Sequence, residues 1–389
     1  MTRPAFSVRR TIAFVLYNIG AALVLLVVLE GFASIYYTFR DAFVLPPVAE
    51  SLHTEYDRDL GWVNLPNAYL PNMYGPGTYL RTDSQRFRNN ADFTRQVPPG
   101  KTRIICSGNS HTLGYGVDND HTWPQLLAAH AQNIETVNMG QGGYGADQTY
   151  LWYKRDGVVL DHDIQILALM FTDFPRMEKS SFVGYGKPVL AVENQRLVTT
   201  NVPVPPPAME ARTSRLEHAA DALSSLNITH LLQRLLKLDT SGAMTGAQKE
   251  RSQETSRILS YMLDDLLATN RAKNSVLVLV YLPTREDGGD VGAFWRKFLA
   301  EYAQRHGLLY LDLSNDFRHL PPEELDKLFI GRTIGFPAAP GHYSEAGNAF
   351  VADLIYKWLL ANPITAAKLH TQPADHATSR SDAGNRLGP

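Results

Sequence analysis

Arg103-Ile104-Ile105-Cys106-Ser107-Gly108-Asn109-Ser110 runs from an apolar segment into a glycine turn ending on a hydroxyl, and continues His111-Thr112-Leu113-Gly114-Tyr115-Gly116-Val117. The run from Arg103 to Cys106 has the length and branching of a buried strand. Open α/β sheets bind ligands beyond the carboxyl ends of parallel strands, so a serine placed there is a candidate nucleophile. A serine at a strand–helix junction also serves as a helix cap. This segment alone does not choose between the two.

The rest of the chain supplies a rhythm around it. Strand-like runs at 103–107, 135–139, 164–170, 275–282 and 308–313 alternate with helical patterns at 121–132, 146–156, 255–269, 290–306 and 344–361. Trp123, Leu126 and Leu127 mark one inner helical face, and Ile258, Leu259, Met262, Leu263, Leu266 and Leu267 mark another. Such alternation implies an α/β fold, a three-layer α/β/α sandwich around a mostly parallel five-stranded sheet. The domain is expected over 101–362, interrupted by an insertion at about 175–250 that opens with a hairpin, Lys187–Val204. Residues 38–100, rich in Pro, Asn, Gly and Tyr, read as a linker and packing segment with short strands, and 363–389 as a disordered tail.

The N-terminus carries a separate signal. Arg3, Arg9 and Arg10 precede an uncharged apolar run from Thr11 to Leu29, and apolar character resumes after Glu30. Residues 11–37 are long enough to span a bilayer core. Ala33-Ser34 is a weak cleavage site, so an uncleaved anchor is favoured over a signal peptide. The arginines before the span, against Arg40 after it, predict residues 1–10 in the cytoplasm and the domain outside, facing the periplasm in a bacterium. The net charge of −2 makes no case for nucleic acid. The lone Cys106 excludes an internal disulfide and reads as buried.

A serine hydroxyl needs a base to take its proton. Of the histidines, His342 stands out, because Pro340-Gly341-His342-Tyr343-Ser344 precedes the last helix and so belongs on the same rim as Ser110. The bland reading, a histidine at a helix start with no chemistry, applies to it as to any other. His111 is expected to pack or face solvent, and His121 and Trp123 to be structural.

With these residues assembled, the chain resembles the SGNH/GDSL-type hydrolases, in particular membrane-anchored bacterial members. Gly108-Asn109-Ser110-His111-Thr112-x-Gly114-x-Gly116-Val117 is similar to their opening block, and Asn138-x-Gly140-x-x-Gly143-Tyr144-Gly145 to their second. Phe171-Thr172-Asp173 stands where their Asn-Asp falls, and His342-Tyr343-Ser344-x-x-Gly347-Asn348 matches the closing block. The Arg81–Asn89 segment and the hairpin ending Pro203-Val204-Pro205 are similar as well. The resemblance implies Ser110 as nucleophile, His342 as general base, and an oxyanion hole from Ser110, Gly143 and Thr172. It implies no cofactor and no metal, an acylated small-molecule or carbohydrate substrate, a membrane contact through the N-terminal helix, and partners among envelope or polysaccharide-assembly proteins.

Three positions depart from the pattern. Thr172 replaces an asparagine, Asn109 replaces an aspartate, and Ala339 and Pro340 stand where the histidine-orienting aspartate belongs. A backbone carbonyl or another acid must then orient His342. The expected reaction is hydrolysis of acyl esters through a Ser110 acyl-enzyme. Transfer of the acyl group to polysaccharide and a non-catalytic glycan-binding or scaffold role are the alternatives. Gly140-x-Gly142-x-x-Gly145, with Asp161 and Asp163 downstream, also fits a dinucleotide fingerprint, but on the second strand rather than the first. No Walker P-loop or Cys/His zinc spacing occurs. Asn227-Ile228-Thr229 fits a glycosylation sequon, relevant only in a eukaryotic secretory pathway.

Overall fold

A computed structural model describes residues 8–43, 50–182, 184–206, 246–285, 292–331 and 339–369. The helix α1 (Val8–Phe43) comes first, followed by two antiparallel hairpins, β1 (Thr54–Asp57) with β2 (Gly61–Asn64) and β3 (Tyr69–Leu70) with β4 (Leu80–Arg81). Next come β5 (Thr102–Gly108), α2 (Ser110–Leu113), α3 (Trp123–Ala129), β6 (Ile134–Gly140), α4 (Ala146–Trp152), β7 (Ile164–Leu169) and α5 (Asp173–Met177). The insertion contributes β8 (Ser181–Phe182), β9 (Tyr185–Gly186), β10 (Val189–Glu193) and β11 (Arg196–Thr200). The chain then forms α6 (Gly246–Ala272), β12 (Val276–Tyr281), α7 (Ala293–His306), β13 (Leu309–Asp312), α8 (Glu345–Ala361) and α9 (Pro363–Leu369).

One five-stranded sheet, ordered β13-β12-β7-β5-β6, is parallel throughout. Its inner strands β5, β7 and β12 are buried on both faces, which is why they read as continuous apolar runs, while the edge strand β13 is half-buried. Alternate residues serve opposite layers. Ile105, Leu167 and Leu279 pack against Trp152, Leu263 and Leu299 of α4, α6 and α7. Ile104, Cys106, Ile166 and Val278 pack against Trp123, Val351 and Ile355 of α3 and α8. Burial pushes the Cys106 thiol well above its ordinary pKa and leaves it unreactive. After β6 the chain returns past β5 to β7, so a crevice opens where the carboxyl ends of β5 and β7 diverge. These layers fit the SGNH-type α/β fold.

The expected helix 121–132 is shorter. Residues Asn119–His121 make one 3-10 turn, and Pro124 in the first turn of α3 starts the α-helix anew. The hairpin expected over Lys187–Val204 is β10–β11, while most of the insertion's helical remainder, with Asn227, lies outside the described residues.

In the segment read as a linker that packs on the domain, short hairpins and turns bury Leu60, Trp62, Val63 and Phe87 in the main core. One segment differs from its reading. The segment from 363 begins as a docked helix, not a disordered tail. Pro363 starts α9, Asn362 Oδ1 accepts the Ile364 N–H, and Leu369 is buried. Thr102 Oγ1 and Asn133 Nδ2 then donate to the carbonyls of Lys368 and Leu369 at 2.9 and 2.8 Å. Residues 370–389 lie outside the described residues.

Within α1, Ala13–Ile35 is long and apolar enough to cross a membrane, a property that a signal sequence shares. Elsewhere the buried ammonium of Lys187 donates to the Asp147 carboxylate and to the carbonyls of Arg176 and Lys179, tying the insertion to α4.

Asp83 closes the turn after β4, its Oδ1 accepting the N–H groups of Gln85 and Phe87 at 2.9 Å. Burial, only partly offset by those bonds, pushes its pKa up to about 7. The folded chain therefore keeps a proton that the unfolded chain releases near 3.8. This contribution favours folding at acid pH and is lost as pH rises from about 4 to about 7. Asp83→Asn is expected to gain about 1–3 kcal/mol relative to wild type on going from pH 5 to pH 8. Melting curves at both pH values check this, and an equal difference at the two would refute it.

Candidate active site

The turn between β5 and α2 carries Ser110. Gly108 lets it pass close to β7, since a Cβ there would stand 2.1 Å from Thr112 Oγ1 and 2.9 Å from the Ala168 carbonyl. Asn109 caps α2, its Oδ1 accepting the His111 N–H at 2.8 Å. Its Nδ2 donates to Asp173 Oδ1 at 2.6 Å, and Asp173 Oδ2 accepts the Met170 N–H. Burial pushes the Asp173 carboxyl up to about 6, although Arg176 and the Asn109 bond favour its charged form. The Asn109 amide thus fastens the serine turn to the turn after β7, where Thr172 lies.

His342 Nε2 lies 2.8 Å from Ser110 Oγ. On the other side of the ring, Nδ1 is 3.2 Å from the Ala339 carbonyl. A carbonyl only accepts, so this contact places the ring proton on Nδ1 and leaves the Nε2 lone pair for the hydroxyl. Of the two ways left open for orienting His342, the turn supplies the backbone carbonyl. Gly341 takes the left-handed conformation (φ +89°), and backbone bonds Gly341 N–H to Ile330 and Ile330 N–H to His342 hold the turn.

The second glycine block packs against α2 and Trp62. A Cβ on Gly140 would stand 1.9 Å from the Leu113 nitrogen, and Gly143 adopts φ +77°. Trp62 from β2 fixes the loop by donating Nε1–H to the Gly142 carbonyl at 2.9 Å. Close packing therefore explains Gly140 and Gly145, where a Cβ would stand 2.6 Å from Asp147 Oδ1, two of the three glycines that also satisfy a dinucleotide fingerprint. The carboxylate of Asp163 accepts the Arg103 N–H, and that of Asp161 pairs with Lys273. Among the described residues, the N–H groups of Ser110 and Gly143 donate to no protein acceptor, and the buried Thr172 hydroxyl has no partner.

His111 is buried rather than solvent-facing. Its ring meets His342 at 4.7 Å and stands edge-on to Tyr343 at 4.8 Å. Burial, then His342 and Arg176, hold its pKa well below the ordinary imidazole value, so it stays neutral. Trp123 is core. Asp118, His121 and Glu345 bring possible metal-ligand atoms within 4.8 Å of one another at the rim, but Asp118 already binds the His121 ring as an ion pair.

Arg88 lies in the Arg81–Asn89 segment, and its role has no local sequence signal. The buried guanidinium donates to the carbonyls of Leu113, Gly114, Val117 and Tyr79 and to Asn119 Oδ1, and so moulds the loop after the serine.

No protein-family model matches the chain, and no curated protein matches it. Solved structures similar to it include the lipase/acylhydrolase from Enterococcus faecalis, with 11% identity and TM-score 0.38, over 67% of this chain and 96% of that one. A member of the lipolytic protein G-D-S-L family from Veillonella parvula shares 15% identity at TM-score 0.34, over 66% and 98% of the two chains. A two-domain esterase active on acetylated mannans shares 11% identity at TM-score 0.38, over 72% and 53%. Likeness this remote transfers neither residue roles nor substrates.

Proposed function

We propose that the protein is an SGNH-type serine esterase, anchored by α1 with its α/β domain outside the cytoplasm, that cleaves acyl esters. The observation that carries this reading is the 2.8 Å contact between His342 Nε2 and Ser110 Oγ, with Nδ1 against a carbonyl. Ser110 Oγ attacks the acyl carbon while its proton moves to His342 Nε2. The tetrahedral oxyanion accepts hydrogen bonds from the Ser110 and Gly143 N–H groups and the Thr172 hydroxyl. The imidazolium then protonates the departing alcohol, and water, deprotonated by the same nitrogen, releases the acid. O-acylated envelope or secreted carbohydrate is the substrate class that an anchored, outward-facing domain would meet.

The test is intact-mass analysis of the full-length chain in detergent after treatment with a fluorophosphonate. A single adduct, absent from Ser110→Ala, is expected. A folded chain that takes up no label would overturn the esterase reading and favour a binding role.

The third donor gives a graded test. Thr172→Val keeps the shape and removes the hydroxyl, so kcat on p-nitrophenyl acetate should fall by about 10²-fold. Thr172→Asn, which restores an amide, should not fall with it.

A further inference from the structure

Tyr115 follows the serine turn and packs its ring on the imidazole of His342, with centroids 5.0 Å and planes 30° apart. Tyr74 backs it at 5.4 Å, and the Arg88 guanidinium lies over the Tyr74 ring at 5.7 Å. Tyr74, Tyr115 and Arg88 are all buried, so this column of groups is built into the domain and does not lie loosely on its surface.

A histidine that acts as base becomes a cation at the moment of reaction. The face of an aromatic ring is negative, and a cation within about 6 Å of its centre is attracted to it, more strongly where water is excluded. His111, the other ring against His342, offers no such help by titrating, because it is held neutral. We propose that Tyr115 is a positioning residue for the Ser110–His342 pair: its ring face keeps the imidazole in line with Ser110 Oγ and stabilises it as the imidazolium. The inference deepens the esterase reading and rests on it for its chemistry. In the acylation step the Oγ–carbon bond forms as the Ser110 proton passes to Nε2, and the same proton leaves with the alcohol when the ester C–O bond breaks. Tyr115 exchanges no proton and acts only on the charge between those two events.

Several described groups set the background for this titration. Ser110 and His111 face the ring from α2, and Tyr343 stands beside His111. Arg176 of α5 acts on His111, and Arg88 sits behind Tyr74. None of these changes when only the electron density of ring 115 is altered.

The experiment is a proton NMR titration of full-length chain in detergent, carrying 13C-labelled histidine, with His342 assigned by the signal lost in His342→Gln. Position 115 carries tyrosine, phenylalanine, and then phenylalanines bearing increasing numbers of ring fluorines, which drain the negative face while keeping the shape. Tyr115→Phe should leave the His342 pKa in place. The fluorinated series should lower it stepwise, by about 0.4 to 1.5 in all. Hydrolysis of p-nitrophenyl acetate should fall in step, by about 2- to 30-fold in kcat/KM. A pKa that stays constant along the series overturns the proposal. A pKa that moves in a protein without esterase activity supports the electrostatic contact and removes the esterase reading instead. Because the series keeps the ring, it does not depend on the folding of a truncated variant such as Tyr115→Leu.

Discussion

Ester hydrolysis by His342→Ala and by Ser110→Ala is expected to fall by about 10⁴-fold or more, with the double variant no slower than either single one. Nε2 and Oγ stand in one hydrogen bond, so each group is useless for acylation without the other. A serine without its base is a poor nucleophile, and a base without its serine has no proton to take. Activities of the three variants, measured as kcat/KM on p-nitrophenyl acetate, check the non-additivity. Multiplying losses would mean that the two residues act in separate steps, and an unaffected His342→Ala would assign the base elsewhere. Ala339 enters the cycle only through its carbonyl, so Ala339→Ser should keep the activity if the backbone holds its turn. That small effect contrasts with the loss expected where the side chain itself reacts.

The contact between positions 110 and 342 could be read from sequence only as a pairing of two strand-end motifs, while its geometry could not. Fully buried parallel strands announce themselves, because both of their faces are apolar and the runs stay short. That is why the extents of β5, β6, β7, β12 and β13 fall within a residue or two of their reading. The order of the sheet, with its reversal between β5 and β7, carries no such local signal and comes from the structure. Hydrogen bonds accepted by backbone carbonyls leave no trace in side-chain identity. The acceptor on His342 Nδ1 is such a carbonyl, so the residues at 339 and 340 reveal only which carboxylate is missing. That residues 54–93 pack on the domain is legible, but which of their side chains enter the core is not, because turns rather than a helical or strand period space them. The docked start of the C-terminal segment was hidden in another way. It is short and carries Ile364 exposed, and contacts that hold it, among them Thr102 and Asn133 on its carbonyls, come from far away in the chain.

Arg88→Met should lower stability by about 3–5 kcal/mol. The guanidinium is fully buried, and burial pulls its pKa below the ordinary arginine value, yet it remains a cation. Its donors reach four carbonyls, of Tyr79, Leu113, Gly114 and Val117, and the Asn119 side chain, at 2.6 to 3.3 Å. Methionine fills much of the same space but donates nothing: Asn119 Oδ1 and the Leu113 and Gly114 carbonyls keep the Arg81 N–H, Asn138 Nδ2 and Val117 N–H, while among the described residues the Tyr79 and Val117 carbonyls lose their donor, each at a cost of about 1–3 kcal/mol unless water enters. Relaxation and entering water reduce the sum to the range given. The expected loss corresponds to a fall of about 6–20 °C in melting temperature for a domain of this size. Lysine is a sharper probe, because it keeps the charge and loses the planar fork. A single ammonium cannot hold three carbonyls of the 113–117 loop and two further acceptors together, so Arg88→Lys should melt between wild type and Arg88→Met. The same loop carries Tyr115 against His342, and esterase activity should fall in the lysine variant even at temperatures where it is fully folded. A lysine variant that melts below wild type with unchanged kcat/KM would separate the two roles and confine Arg88 to stability. A methionine variant melting within about 2 °C of wild type would show that the buried charge costs as much as its hydrogen bonds return.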